Sequence, residues 1–219
     1  MTEDKNYRGM WEDLGADAGR GYLEIKFQPT YRIGLTNYVR EEQIYKFLDP
    51  KPDDVVLDVG CASGRQVFQI AKKIKAGHGI DIAQSFIDEA NRYKTERGFV
   101  NTFFTRAVGE TLPYEDQQFT KIICAEVLEH VFDKDTALRE MLRVLRPGGT
   151  LVITVPNLNA DGTLWGRFLR LIGVRSFVPM TEFSDKELKN HGDAHVREFT
   201  RVSLTKWLKT NNLKILDAK

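Results

Sequence analysis

Val56-Leu57-Asp58-Val59-Gly60-Cys61-Ala62-Ser63-Gly64 decides how this chain is read. A β-branched run, Val55 to Val59, ends at Gly60, and Arg65 to Lys75 then carries Val67, Phe68, Ile70, Ala71 and Ile74 on a helical period. That pattern is a strand, a glycine turn and a helix. A dinucleotide-binding loop would need glycine at 60, 62 and 65, so that backbone can meet pyrophosphate and helix can meet strand. Ala62 and Arg65 stand at the last two positions, which weakens the pyrophosphate reading twice. An aspartate inside the strand end, two residues before the turn, suits instead a ligand with a cationic ammonium and an uncharged linker to ribose. The competing reading is that Asp58 caps the turn and the glycines only shape it.

A second motif bears on that choice. Gly79-Ile80-Asp81-Ile82 closes another apolar run, and Asp81 lies 17 residues after Gly64. A carboxylate there can accept hydrogen bonds from both hydroxyls of an adenosine ribose. A strand-ending aspartate standing alone would more often be a helix cap. Paired with the first loop, it reads as a ligand contact.

Working outward, strands alternate with helices. Gly77 to Ile82 reads as the second strand, followed by a helix from Ser85, its expected N-cap, with Phe86, Ile87, Ala90 and Tyr93 on one face. Val100 to Thr105 and Thr120 to Ala125 read as the third and fourth strands. The next helix carries Ala137, Leu138, Met141, Leu142 and Leu145 and stops at Arg146-Pro147-Gly148-Gly149, after which Thr150 to Val155 is the fifth strand. Such alternation implies an α/β fold: a doubly wound, mainly parallel sheet with helices on both faces. Ligands of such sheets bind beyond the carboxyl ends of the strands, where strand order switches. Residues 1–50, with Trp11, Tyr22, Tyr31, Tyr38 and Tyr45, are expected to be an N-terminal helical cover over a domain spanning 51–219.

Composition limits the alternatives. At 219 residues, 42% hydrophobic and 29% charged, the chain fits one domain with a full core. Thirty-two basic against 31 acidic residues leave a net charge of +1, which supplies no field to draw in a polyanion, so nucleic acid is not favoured. Cys61 and Cys124 sit in apolar runs, as buried thiols in a reducing cytosol do. No stretch approaches the roughly 18 apolar residues of a membrane span, and Met1 to Arg8 is too polar for a secretion signal. The expected compartment is the cytoplasm.

With these residues in place, the chain closely resembles the class I, Rossmann-like S-adenosylmethionine-dependent methyltransferases. The resemblance runs from about Val55 to Leu216. It includes Glu110-Thr111-Leu112-Pro113-Tyr114-Glu115-Asp116, Glu126-Val127-Leu128-Glu129-His130-Val131, the Arg146 to Gly149 turn, and His195-Val196-Arg197-Glu198-Phe199-Thr200. It implies that Gly60, Cys61, Ala62 and Gly64 lie along the methionine part of S-adenosylmethionine, near Asp58. Asp81 would hold the ribose, and Ala107 to Glu110 would border the adenine, with Ala125 and Glu126 beside the transferable methyl. Relatives often carry an aspartate where this chain has Val108, so adenine recognition would rest on backbone near Gly109 and on apolar contact from Val108 and Ile82. The resemblance also implies a sixth strand, from Leu213 to Ala218.

The expected reaction is transfer of a methyl group to a small-molecule acceptor, a hydroxyl oxygen, by an in-line displacement in which positioning supplies most of the effect. A hydroxyl also benefits from a base, and the candidates are His130, His195 and Glu129. The competing reading makes Glu129 and His130 caps of the following helix and gives His195 a loop-holding role. Glu126, Glu129, His130 and His195 also resemble the arrangement in metal-assisted ubiquinone-pathway O-methyltransferases and small-RNA 2′-O-methyltransferases. The same run occurs in relatives that need no metal, and none is assigned. Residues 157–196 form an insertion with an apolar stripe, Leu164, Trp165, Phe168, Leu169, Leu171 and Ile172, beside Arg167, Arg170 and Arg175. It reads first as a packed or lid-forming helix. A basic amphipathic helix resting on a membrane surface through 163–175 is the alternative. A cofactor-binding protein acting on a lipid-like or RNA acceptor, or lacking catalysis, completes the set of readings.

Overall fold

The computed structural model describes residues 32–156, 199–211 and 213–215, with side chains in the first helix described from Arg40 onward. The expected cover before residue 32, the insertion at 157–196 with its stripe, and His195 lie outside the described residues. The chain forms two compact units. One comprises Met1–Val127 with Val131–Thr154, the other Leu128–His130 with Val155–Lys219.

The first unit is a parallel sheet. Its elements are α1 (Arg32–Leu48), β1 (Val55–Val59), α2 (Arg65–Ile70), β2 (Ala76–Asp81), α3 (Gln84–Arg97), β3 (Thr102–Arg106), β4 (Phe119–Ala125), α4 (Lys134–Val144) and β5 (Leu145–Thr154). The strands lie in the order β3-β2-β1-β4-β5, every pair parallel. Asp58 of β1 is in register with Gly79 of β2 on one side and Ile123 of β4 on the other. Strand order therefore switches at β1, the position at which doubly wound sheets take ligands. Side chains alternate along a strand, so Val56 and Asp58 share one face. On that face Val56, Ile123 and Val152 form a core with Ile70, Ile74, and Ile44 and Leu48 of α1. A second core gathers Cys61, Val67, Phe68, Ile87, Ala90 and Phe104.

Several expected boundaries move, each for a local reason. The helix after the glycine turn ends early, because Ala71–Lys73 tightens to a 3-10 turn and Ile74 is extended. Lys75 and Ala76 N–H groups then donate to the Asp54 carbonyl, drawing the chain into β2. Ser85 is not the cap of α3: the helix starts at Gln84 after Ala83, whose N–H donates to Asp81 Oδ1 at 2.9 Å. Val100 lies outside β3 and is 86% exposed, so its apolar character signalled no strand. The breaker cluster ends α4 as expected, yet it falls inside β5. Phe119 pairs with Leu145 and Lys121 with Thr150, so Arg146 to Gly149 bulge out of the ladder, with Gly148 at φ 76°.

In the second unit, α5 (Arg201–Thr210) is fixed by a reciprocal capping box between Thr200 and Ser203, and the Phe199 and Trp207 rings pack 6.5 Å apart. Leu213 to Ile215 form no strand, so the described part of the expected sixth strand is not one. Among the described residues no helix is long and apolar enough to cross a membrane.

Candidate active site

Backbone hydrogen bonds close the loop after β1. Gly60 and Cys61 N–H groups donate to the Ile80 carbonyl at 2.9 and 2.8 Å, and Gly64 N–H to the Cys61 carbonyl at 2.9 Å. Gly60 has φ 75°, and a Cβ there would lie 2.3 Å from Val127 Cγ2. Gly64, at φ 81°, would press a Cβ to 2.4 Å from the Phe104 ring. Both turns therefore need glycine for conformation and for space. Ala62 holds φ 45° despite its side chain, a local strain of the kind that gathers at ligand loops.

Asp58 does not cap this turn. It is 2% exposed, and its Oδ2 is buried without a hydrogen bond to any described residue. Burial pushes its carboxyl well above the usual carboxylate range, and the nearby Asp81 and Glu41 carboxylates push it further. A buried acceptor of this kind is costly unless something binds to it. Burial likewise pushes the Cys61 thiol up, and Cys61 and Cys124 are buried and not joined in a disulfide.

Asp81 does two things at once. Its Oδ2 accepts from Ala62 N–H and its Oδ1 from Ala83 N–H, each at 2.9 Å, which ties the glycine loop to the start of α3. A carboxylate at this strand end is of the type that accepts from a vicinal pair of hydroxyls. The Asp81 carbonyl accepts from Ala107 N–H at 3.0 Å, bringing Ala107 to Glu110 against the β2 end. Val108 and Ile82 are half-buried there and Gly109 is buried. Glu110 uses Oε1 to accept from Phe132 and Asp133 N–H groups at 3.1 and 3.4 Å, anchoring the loop before α4.

At the β4 tip, Ala125 is followed by Glu126 in the left-handed region, φ 57°. Its N–H donates to the Thr154 carbonyl at 2.9 Å. Thr154 Oγ1 donates to Glu126 Oε1, also at 2.9 Å, and Arg40 Nη1 lies 3.4 Å from Oε2. Asp58, the Gly60 to Gly64 loop, Asp81, Ile82, Ala107 to Glu110, Ala125 and Glu126 thus all gather at the carboxyl end of one sheet.

The contribution of α1 is not evident from the motifs. Besides Arg40, it supplies Glu41, whose Oε2 accepts from Arg65 Nη2 at 2.7 Å and Gln69 Nε2 at 3.3 Å. It also supplies Tyr45, whose hydroxyl is buried without a hydrogen-bond partner among the described residues. Burial raises that hydroxyl's pKa, with Glu41 and Asp58 adding and Arg65 opposing. The available signal was the helical spacing of Glu41 and Tyr45 beside the apolar Ile44 and Leu48.

In the second unit Glu129 is buried and His130 half-buried, with His130 Nε2 3.9 Å from Glu129 Oε1. They are not caps of α4. Asp133 is, accepting at Oδ1 from Asp135 and Thr136 N–H groups, both at 3.0 Å. Among the described residues, which exclude His195, no three His, Cys, Asp or Glu side chains gather as metal ligands.

A parallel sheet in the order β3-β2-β1-β4-β5, with an acidic residue inside β1, a glycine turn and a second acidic residue ending β2, is a Rossmann-like arrangement, and similarity to known proteins makes it that of a class I S-adenosylmethionine-dependent methyltransferase. The model of a family described as methyltransferase domain matches residues 50–202, and the chain belongs to that family. It is 34% identical over 226 residues to the O-methyltransferase rstn1 of Aspergillus nomiae, covering 96% of each chain. It is 29% identical over 215 residues to the ubiquinone biosynthesis O-methyltransferase of Coxiella burnetii, covering 98% of this chain and 84% of that one. The crystal structure of the YcgJ protein from Bacillus subtilis shares the fold, with a TM-score of 0.63 at 22% identity over 81% of this chain and 69% of that one.

Proposed function

We propose that the chain binds S-adenosylmethionine at the β1, β2 and β4 tips and transfers its methyl group to a hydroxyl oxygen of a small molecule. The observation that carries this reading is Asp58: a carboxylate buried inside β1, with Oδ2 unpartnered among the described residues, at the same sheet end as the Asp81 carboxylate that closes β2. That donor set fits the ammonium and ribose ends of this cofactor. When bound, the cofactor supplies an electrophilic methyl on sulfonium. Asp58 accepts from the ammonium, the Gly60 to Gly64 backbone passes along the methionine part, and Asp81 accepts from the ribose hydroxyls. Ile82, Val108, Gly109 and Glu110 border the adenine, and Ala125 and Glu126 flank the methyl. Arg40, held by Glu126, puts a cation at the same sheet end for a carboxylate.

Catalysis then rests on orientation and on where the acceptor proton goes. His130, steadied by Glu129, and His195 are the bases assigned here. The small-molecule hydroxyl is supported by two similar proteins named as O-methyltransferases. The near-neutral charge speaks against a nucleic-acid acceptor. Two buried thiols outside any disulfide suit the reducing cytoplasm. A cover at 1–50 and an insertion at 157–196 would select the acceptor, with 163–175 as its membrane-facing part if the acceptor is lipid-like. The test is methyl transfer from labelled cofactor to a panel of phenols and aliphatic alcohols. Wild type is expected to label at least one hydroxyl. Replacing the histidine that serves as base by alanine lowers turnover about 100-fold, with unchanged cofactor affinity and recovery at high pH. Full activity of both His130→Ala and His195→Ala across pH removes the base from the mechanism, and labelling confined to nitrogen or carbon acceptors removes the hydroxyl.

A further inference from the structure

Residues 107–118 carry the chain from β3 to β4 without a helix or strand of their own, yet their backbone is held at several points. Thr111 N–H donates to the Val108 carbonyl at 3.1 Å, closing a turn over Gly109 and Glu110. Immediately after that turn, one ion pair of α4 takes both polar backbone groups of Leu112. Glu140 Oε2 accepts from Leu112 N–H at 2.9 Å, and Arg143 Nη2 donates to the Leu112 carbonyl at 3.1 Å. Within the pair, Arg143 Nε and Nη2 donate to Glu140 Oε1 and Oε2 at 2.7 and 2.9 Å. Arg143 Nη1 also donates to the Tyr114 carbonyl at 2.9 Å and to Asp116 Oδ1 at 2.7 Å, and the Arg143 carbonyl accepts from Gln117 N–H at 2.9 Å. The Leu112 side chain is itself buried. An ion pair three residues apart on a helix surface contributes little to stability. This one is distinguished by where its remaining bonds go: into the backbone of a single loop.

We infer that Glu140 and Arg143 are positioning residues for recognition of the cofactor's adenine, holding the Val108 to Glu110 backbone in place from outside the site. This rests on the cofactor placement proposed above. Val108 has an aliphatic side chain that can form no hydrogen bond to a base, so reading the base falls to backbone groups near Gly109. Adenine offers a donor at its 6-amino group and an acceptor at N1, and hypoxanthine reverses both. A backbone carbonyl and N–H tell the two bases apart only while the loop keeps its place, because discrimination of this kind depends on preorganised geometry. Releasing Leu112 lets the turn shift, and the loss falls on the ligand whose base matches the fixed arrangement.

The experiment is calorimetric titration of S-adenosylhomocysteine and of S-inosylhomocysteine, which differs only in carrying hypoxanthine. Both are titrated into wild type, Arg143→Met, Glu140→Gln and a control, Arg92→Met, with thermal melts confirming folding. The control breaks ion pairs of the same kind, from Arg92 to Glu89 and Glu96 within α3. Wild type and the control are expected to prefer S-adenosylhomocysteine by at least about 10-fold, the range of mispaired hydrogen bonds. Arg143→Met is expected to weaken S-adenosylhomocysteine about 10-fold and S-inosylhomocysteine by less than about threefold, so that the preference falls. Glu140→Gln keeps an amide oxygen for Leu112 N–H but loses the ion pair, and its preference falls by a smaller factor; it decides the matter if Arg143→Met does not fold. The inference is overturned if the folded variants keep the wild-type preference, whether or not both affinities drop, if Arg92→Met loses the preference as they do, or if wild type binds the two ligands equally. Failure of wild type to bind S-adenosylhomocysteine at all overturns the cofactor placement itself.

Discussion

Asp58 is where residue chemistry and ligand binding meet. Its carboxyl in the free protein is held well above the ordinary 3.8, first by burial and then by Asp81 and Glu41. A raised carboxylate pKa means that the folded state holds more protons than the unfolded one above pH 3.8, so Asp58 lowers the stability of the free protein as pH rises through that window. A ligand ammonium favours the charged form and reverses the penalty. S-adenosylhomocysteine is therefore expected to bind more tightly as pH rises through the raised value, releasing a proton. Below it, the binding enthalpy should depend on the ionisation heat of the buffer in wild type and not in Asp58→Asn. Equal proton release by the two would take Asp58 out of the linkage. Asp58 and Asp81 were legible in the sequence because each closes an apolar run next to glycine. Glu41, Arg40 and Tyr45 were not, because a charged residue on a helix usually marks a solvated face, and only the tertiary packing of α1 onto the sheet gives them another role.

At the scale of elements, the β1-loop-α2 unit is the most constrained part of the chain. Gly60→Val would set a branched side chain at φ 75° with its Cβ 2.3 Å from Val127 Cγ2, so the loop and the β4 tip must move apart. The expected outcome is loss of detectable S-adenosylhomocysteine binding by calorimetry and a melting temperature several degrees lower; normal binding by this variant would place the ligand elsewhere. Strands β1 to β4, and the end of β5, were legible to within a residue or two because their β-branched, alternating or fully apolar runs are bounded by glycine and polar turns. What escaped the sequence was decided by hydrogen bonds across elements. The Asp54 carbonyl ends α2's continuation, the Ala83 N–H bond to Asp81 sets the start of α3 ahead of Ser85, and Asp133 takes the cap of α4 from Glu129 and His130. Arg146 to Gly149 read as a break between helix and strand, yet the Leu145 to Phe119 pairing lets the strand begin before its own bulge.

Over the whole molecule, the order of strands sets where binding happens. The chain runs from β1 outward to β2 and β3, then returns to lay β4 and β5 on the other side, and the tips of β1, β2 and β4 surround the resulting switch. That architecture was legible because regular alternation of strands and helices leaves few topologies open. The acceptor was not, since neither charge nor periodicity encodes it. The central claim is that the switch holds S-adenosylmethionine through Asp58 and Asp81, and calorimetric titration of S-adenosylhomocysteine into wild type and Asp81→Ala tests it most directly. The account predicts one site per chain in wild type and no binding of NAD. In a folded Asp81→Ala it predicts affinity weakened by about 1.5–3 kcal/mol, the contribution of charge-assisted bonds to two hydroxyls. Unchanged affinity in the folded variant, or binding of NAD in place of S-adenosylhomocysteine, would contradict it.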